Sequence, residues 1–303
     1  MTAATPTTPT DGMSPDVAMS AVTLHVGDLD RMTAFYRDAV GLAVLPAQEG
    51  RDDVVALGRG GVPLVVLHRT PGLPAVRPRE AGLFHTAILF DDERTLAAAV
   101  ASVARAAPER FTGSADHLVS QAFYFTDPEG NGLELYADRP REQWHWSGGQ
   151  VEMDSLRLDP NEFLSRHLEP GWTLAAGRPA IDTAASDAVV GHVHLQVGDI
   201  PRARAFYVDT LGFEVTGEWH GALFIAAGRY HHHMAVNTWR SMGAGPRAVT
   251  LGLGEVSIRV PADDDVAALA ARLRRHDVSV QDDGRELRFE DPWRNLIRVG
   301  TTV

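Results

Sequence analysis

The chain of 303 residues contains no cysteine. That excludes disulfides, thiolate metal sites and cysteine nucleophiles together. Any metal must then be held by histidine, aspartate or glutamate, and 13 histidines are available. Long hydrophobic runs are missing as well: no stretch approaches the roughly 18 consecutive apolar residues of a membrane span. Nor is there an excess of positive charge. The formal net charge is −12 at pH 7, which argues against a broad phosphate-binding surface, so no nucleic acid is expected as a partner. Residues 1–17, MTAATPTTPTDGMSPDV, lack the basic start and apolar run of a signal peptide. Their Thr and Pro content reads as a disordered tail, and a soluble cytoplasmic protein is the default expectation. The 44% hydrophobic share is enough for two domains with real cores.

What the chain does have is internal repetition. VTLHVGDLDRMTAFYRDAVGL at 22–42 recurs as VHLQVGDIPRARAFYVDTLGF at 193–213, so that Asp28 matches Asp199, Tyr36 matches Tyr207 and Gly41 matches Gly212. A second motif repeats at a different offset: Asp127-Pro128 with Asn131 in DPEGNGLELY, and Asp291-Pro292 with Asn295 in DPWRNLIRVG. Two motifs repeated in the same order mark a tandem duplication. Each half divides again. Alternation at Val22–Val26 predicts a strand, Asp30–Val40 a helix closed by Gly41, and Val54–Leu57 and Pro63–His68 short strands. The pattern restarts with FHTAILF at 84–90, a helix over Glu93–Ala106, and strands at Gln121–Thr126 and Leu133–Ala137. It appears twice more. One unit has strand His192–Val197, a helix near Pro201–Thr210, and strands Ala222–Ala226 and His232–Asn237; the last has strand Val256–Val260, helix Asp264–Arg275, and strands near Leu287–Glu290 and Leu296–Val299. The expected fold is α+β, with four βαβββ units. Units one and two occupy 18–139, a linker with at most one helix 140–188, and units three and four 189–303. Pairing two units into a cup-shaped mixed sheet would cover edges that a single unit leaves open.

The set DL…AFY…GL, FHTAI, DPEGNGLELYADRP and HVHLQVGDI…FY…LGF resembles the vicinal-oxygen-chelate superfamily of glyoxalases, bleomycin resistance proteins and extradiol dioxygenases. With DHLVSQAFYFTDPEGNGLELYADRPREQWHW and YHHHMAVNTW, it resembles the two-repeat catechol 2,3-dioxygenase branch in particular, over nearly all of 19–300. The resemblance places metal ligands at His85 and Glu134 of unit two. Alternation agrees, setting Glu134 with Tyr136 opposite the apolar Leu133 and Leu135; outside such a motif a strand glutamate is more often solvent-facing. The family's first-strand histidine stands seven residues before the Asp of the VxD turn. In unit three that is His192; in unit one it is Ala21, which leaves His25 off position. In unit four, Arg298 stands for Glu134 and Val249 for His85. The expected centre is therefore His85, Glu134 and His192, within one chain or across two, with His25 in place of His192 as the alternative. Two histidines and one carboxylate suit Fe(II) with positions open for O₂ and substrate, with Mn(II) as second choice.

The same resemblance gives His117 as a proton-handling histidine and Tyr124 as a hydrogen-bond partner of the substrate. His231–His233 fall on the expected last strand of unit three, with His233 at the slot of Glu134 as a fourth ligand or proton carrier. His194 shares a face with His192. Trp144, Trp146 and Trp239 are candidates for pocket or linker packing, although aromatics are more often core. The expected activity is extradiol cleavage of a catechol-type aromatic diol with O₂. The rivals are a glyoxalase-like isomerase using Zn, Ni or Co and a non-catalytic binder of small molecules. No membrane partner is expected, and a homo-oligomer is compatible with the fold.

Overall fold

The computed structural model describes residues 12–46, 50–171 and 188–301. Four βαβββ units follow one another. Unit one has its first strand at Ala18–Val26 and strands at Ala43–Val44, Val54–Arg59 and Val62–Arg69. Unit two opens with Gly82–Phe90, runs through the helix Glu93–Ala106, and adds Phe111–Asp116, Ser120–Thr126 and Gly132–Asp138. Unit three opens with Ala188–Gln196 and adds Glu214–Trp219, Ala222–Ala226 and Met234–Asn237. Unit four opens with Gly252–Arg259, then the helix Asp263–Arg275, then Val280–Asp282, Glu286–Glu290 and Leu296–Gly300. The helices of units one and three begin as α (Leu29–Ala34, Ile200–Arg204) and widen to π (Phe35–Ala39, Ala205–Thr210). Their N-termini are capped by the repeated aspartates: Asp28 Oδ1 accepts the Arg31 amide at 3.0 Å, and Asp199 Oδ1 that of Arg202 at 2.7 Å.

The sheets cross the duplication. Units one and four share an eight-stranded sheet, and units two and three a nine-stranded one. In each, the first strands of the two units are antiparallel neighbours: Ala18–Val26 on Gly252–Arg259, and Gly82–Phe90 on Ala188–Gln196. Neither half of the chain completes a sheet by itself.

The two motifs repeated at different offsets turn out to be partners. Tyr36 Oη donates to Asp127 Oδ2 at 3.1 Å, and Tyr207 Oη to Asp291 Oδ2 at 2.7 Å. Each bond ties the helix of one sheet to a turn of the other within one half. The aspartates also order their own turns, Asp127 accepting the Glu129 and Asn131 amides and Asp291 those of Trp293 and Asn295. Burial pushes both carboxyls above their ordinary pKa, although the donors around them work against it.

The structure corrects several expectations. Residues 12–17 are not a loose tail: Met13, Ser14 and Val17 are buried, and the Met13 amide donates to Gly212 O at 2.7 Å. Residues 1–11 lie outside the described residues. The stretch 140–171 is more than a linker, with a small hairpin (Trp146–Ser147, Gln150–Val151), a strand Leu156–Arg157 on the edge of the nine-stranded sheet, and the helix Pro160–His167. Strands Phe111–Asp116 and Glu214–Trp219 escaped the sequence reading because FTGSAD and EVTGEW lack a clear apolar alternation. The last strand of unit three starts at Met234, so His231–His233 lie in the turn before it.

Removing one hydroxyl should expose the value of these ties. Tyr36→Phe and Tyr207→Phe should each destabilise by about 1–3 kcal/mol, because each leaves a buried carboxylate short of a donor. Denaturant melts measure it, and an unchanged midpoint in both variants would refute the linking role.

Candidate metal centre

Three neighbouring strands of the nine-stranded sheet build the centre. Ala87 is in register with Glu134 on the parallel strand to one side and with His192 on the antiparallel strand to the other. His85 lies two residues along from Ala87, on the same face. The methyl group at Ala87, fully buried, leaves the space above it to the three larger side chains. A bulge at Gly191 sets His192 in place. A Cβ at Gly191 would lie 1.8 Å from Tyr136 Oη, so no larger residue fits without displacing that tyrosine.

His85 Nε2 is 2.9 Å and His192 Nε2 3.1 Å from Glu134 Oε2, and all three side chains are buried. This trio is the group of potential ligands found among the described residues. Two donors about 2.1 Å from one ion lie about 3.0 Å apart at a right angle and about 3.4 Å apart at a tetrahedral angle. The spacing from each imidazole to the carboxylate fits the right-angled, facial arrangement. His85 Nε2, buried and touching the carboxylate, makes no hydrogen bond, as a lone pair meant for a cation would. The residues present therefore fit a divalent ion. Burial opposes ionisation of Glu134, but the adjacent His192 and His85 outweigh it and hold the carboxyl well below its usual range. Burial brings His192 down to about 4. At neutral pH the centre thus offers an ionised carboxylate beside an unprotonated imidazole, as metal binding requires.

His117 and Tyr124 meet at the rim of the centre. The Asp154 carbonyl lies 2.7 Å from His117 Nδ1, which must therefore carry the proton, and Tyr124 Oη donates to His117 Nε2 at 2.7 Å. Burial and then the nearby Glu134 charge push the Tyr124 phenol well above its ordinary pKa. His194 lies opposite His85 but is engaged elsewhere, its Nε2 accepting from Asn237 Nδ2 at 2.9 Å.

The alternative ligand and the fourth ligand are both absent from the cluster. His25 belongs to the other sheet, beside His68 with ring centroids 5.6 Å apart. His233 faces Ala227 and Tyr230, its Nδ1 accepting the Ala227 amide at 3.3 Å. Register equates Glu134 with Ala235 rather than His233: Leu133 pairs with Thr86, and Met234 with Val193, on the first strands of their own units.

His232 is the histidine of the run that reaches the cavity, its ring centroid 4.1 Å from that of His192. Behind it stands a chain of hydrogen-bonded groups that runs from the buried His231 to the half-buried Asp138. His231 Nε2 is 2.9 Å from Asp138 Oδ1, and the Nδ1 atoms of His231 and His232 are 2.8 Å apart. If His231 donates to Asp138, then His232 Nδ1–H donates to His231, and His232 Nε2 is left as an acceptor. Trp144 packs on Tyr230 and His231 behind the site, Trp146 lies under Arg229, and Trp239 lines the cavity mouth. Sequence reading missed Phe84, Trp219, Phe224 and Met153 as cavity wall. No local pattern distinguishes them from core residues.

The pseudo-equivalent place in the other sheet is closed by an ion pair. Thr23 pairs with Glu255 as His194 pairs with His85, so Glu255, not Val249, takes the position of His85. Val249 lies before the strand and is exposed. Ser257 pairs with Arg298 as Ala87 pairs with Glu134, and Arg298 Nε reaches Glu255 Oε1 at 2.9 Å.

The model of the Glyoxalase/Bleomycin resistance protein/Dioxygenase superfamily matches residues 18–135 and 189–299. The chain belongs to this superfamily. It is 32% identical over 282 residues to the Catechol-2,3-dioxygenase of Bacillus subtilis (strain 168), spanning 91% of this chain and 94% of that protein. Among solved structures, glyoxalase I from Zea mays superposes with a TM-score of 0.56 at 15% identity, covering 95% of this chain and 93% of that one. A Bacillus subtilis protein described as a candidate dioxygenase does so at 0.60 and 15%, covering 94% and 85%. At that identity both show a shared fold. Among the described residues of this superfamily member, no helix is long and apolar enough to cross a membrane.

Two measurements test the centre. Metal analysis of protein purified without chelator should find about one ion per chain, lost in His192→Ala and retained in His25→Ala and His233→Ala; the opposite pattern would move the centre. Stripped of metal, the protein should lose stability between pH 7.5 and 5.5. Burial depresses His192, His194, His232 and His233, the last to about 3. Across that window the unfolded chain takes up protons that the folded one refuses. Each such histidine then costs roughly 1 kcal/mol at pH 5.5. A melting temperature that does not change over this range would refute the burial of neutral imidazoles.

Proposed function

We propose that this protein is a metal-dependent extradiol dioxygenase that opens a catechol-type aromatic diol with O₂, its ion held by His85, Glu134 and His192. The observation that carries the reading is a set of three convergent donors with no fourth among the described residues: the slot equivalent to Glu134 in unit three holds Ala235, and His233 turns away. A facial set of two histidines and one carboxylate leaves several positions open, which suits Fe(II) first and Mn(II) second. A four-ligand isomerase centre has no protein donor in that slot, and a mere binder of small molecules has no use for three buried donors. The likeness to the Bacillus Catechol-2,3-dioxygenase supports the same choice.

When bound, the ion supplies a common docking point and a Lewis acid for the diol oxygens and O₂. The chain's own groups do the rest. Glu134 and the two imidazoles fix where the diol sits. His232 Nε2 is the base that accepts a phenolic proton, with Asp138 and His231 fixing its tautomer from behind. Tyr124, poised on His117, orients the diol from the opposite side by turning its hydroxyl between His117 Nε2 and the substrate oxygen. Phe84, Trp219, Phe224 and Trp239 line the cavity and offer aromatic surface against which the diol ring packs.

Anaerobic loading with Fe(II), followed by catechol and air, should consume O₂ and yield a yellow ring-opened product. His232→Ala should retain its iron and lose roughly 100-fold or more in kcat, the usual contribution of a positioned proton acceptor. Absence of O₂ uptake with several catechols, together with Ni²⁺-dependent conversion of a hemithioacetal, would replace this reading with the isomerase.

A further inference from the structure

Outside the metal centre lies a larger, half-open cleft of about 630 Å³. That volume falls within the range of small-molecule sites, about 300–1,000 Å³. The cleft shares no lining residue with the cavity over the metal. Strand ends from both sheets line it. Gly82 and Leu83 start the first strand of unit two, Gln196 ends that of unit three, and Gly252 and Leu253 start that of unit four. Two loops complete it, the connector 70–81 and the turn 238–251, tied where the Leu251 amide donates to Pro74 O at 2.9 Å. Gly252 has φ 94°, and a Cβ there would lie 3.0 Å from Asn131 Oδ1 and 3.3 Å from Val76 Cγ2, so glycine suits both the backbone and the space.

Four arginines line this cleft, Arg77, Arg79, Arg240 and Arg247, with two acids, Glu80 and Glu129. Among the described residues, none of the four arginines forms an ion pair. The acids are already occupied by backbone donors. Glu129 Oε1 accepts the Gly27 amide at 3.0 Å and the Asp28 amide at 2.8 Å, and Glu80 Oε2 accepts the Arg77 amide at 3.0 Å. Arg240 has its guanidinium 6.0 Å from the centroid of Phe84, a wall of the metal cavity, so the two spaces adjoin. Arg247 is half-buried and donates only to neutral oxygens, Asn295 Oδ1 at 3.4 Å and the Leu253 carbonyl. Burial pulls its guanidinium below the ordinary pKa, and Asp291, Glu80 and Glu290 restore only part of the loss. Four positive charges against two negative ones leave a surplus of two, in a chain of formal net charge −12. Val76, Leu83 and Leu251 supply apolar surface between the charges. Guanidinium groups fork onto carboxylate or phosphate oxygens with paired, charge-assisted bonds.

We propose that this cleft is a second ligand site, separate from the metal centre, which binds a small organic dianion, a dicarboxylate or a phosphate monoester, through Arg77, Arg79, Arg240 and Arg247. The site stands independently of the dioxygenase reading. Calorimetric titration of the Fe(II)-loaded chain, kept free of O₂, with adipate, glycerol 3-phosphate and hexanoate tests it. At least one of the two dianions should bind once per chain, about 10-fold or more tighter than the monoanion hexanoate, the factor expected for one further charge-assisted contact. The tighter of the two identifies the acidic group. Binding should weaken as salt is raised, because the cleft is half-open and its charges are screened. Arg247→Gln should weaken binding about 10-fold or more. Arg77→Gln and Arg240→Gln, at exposed positions where folding is not at stake, should each weaken it as well, by about 3-fold or more. His192→Ala should bind the dianion unchanged. Failure of both dianions to bind, hexanoate binding as tightly as they do, binding that survives all three arginine substitutions, or loss of binding in His192→Ala would each overturn the proposal. None of these outcomes bears on the dioxygenase reading, which is decided by O₂ uptake.

Discussion

One antiparallel ladder governs the molecule: the strand Gly82–Phe90 of the first half against Ala188–Gln196 of the second. Its register puts His192 beside Ala87, with Glu134 on the far side of the same alanine. Side chains alternate along a strand, so a slip by one residue would turn His192 to the opposite face and dissolve the cluster. The register is held from outside. The Tyr36–Asp127 and Tyr207–Asp291 bonds clamp each half across the two sheets, and Gly191 allows the local bulge that aims the imidazole.

The electrostatics of the centre follow from the burial that this ladder enforces. Glu134 is buried as an anion, which is costly unless a cation or hydrogen-bond donors compensate. The neighbouring imidazoles do so only in part, because burial keeps His192 unprotonated. A bound divalent ion meets all three needs at once, taking two imidazole lone pairs and the carboxylate charge. The pseudo-equivalent place in the other sheet balances its charge differently. Glu255 faces Arg298 and Arg288, and an acid satisfied by guanidinium groups has no call for a metal. One duplicated framework thus carries a metal-ready cluster on one sheet and a structural ion pair on the other.

The surroundings of the cluster come from units two and three and from the segment that joins them. Unit two provides Tyr124 and His117, unit three His232, and the connecting segment Met153 and the carbonyl that orients His117. The segment between the halves is thereby part of the cavity and not a passive spacer.

The sequence by itself determined the duplication and the four βαβββ units, which rest on local information: repeated motifs and alternation along strands. The candidate ligands His85, Glu134 and His192, and His117 and Tyr124 beside them, came from the resemblance to the superfamily, and the structure brings the first three together. Tertiary structure alone decided which units share a sheet, and it sets the alternative His25 on the other sheet, because strand pairing between distant segments leaves no local mark. It also turned His233 away and His232 inward, since the histidine run lies in a turn where strand alternation does not apply. Glu255 displaced Val249 as the counterpart of His85 for a related reason: the offset between first strands differs from that between last strands. The packing of residues 12–17 against Gly212 and the assembly of the apolar wall were likewise invisible in one dimension, because burial there is a property of contacts between segments far apart in the chain.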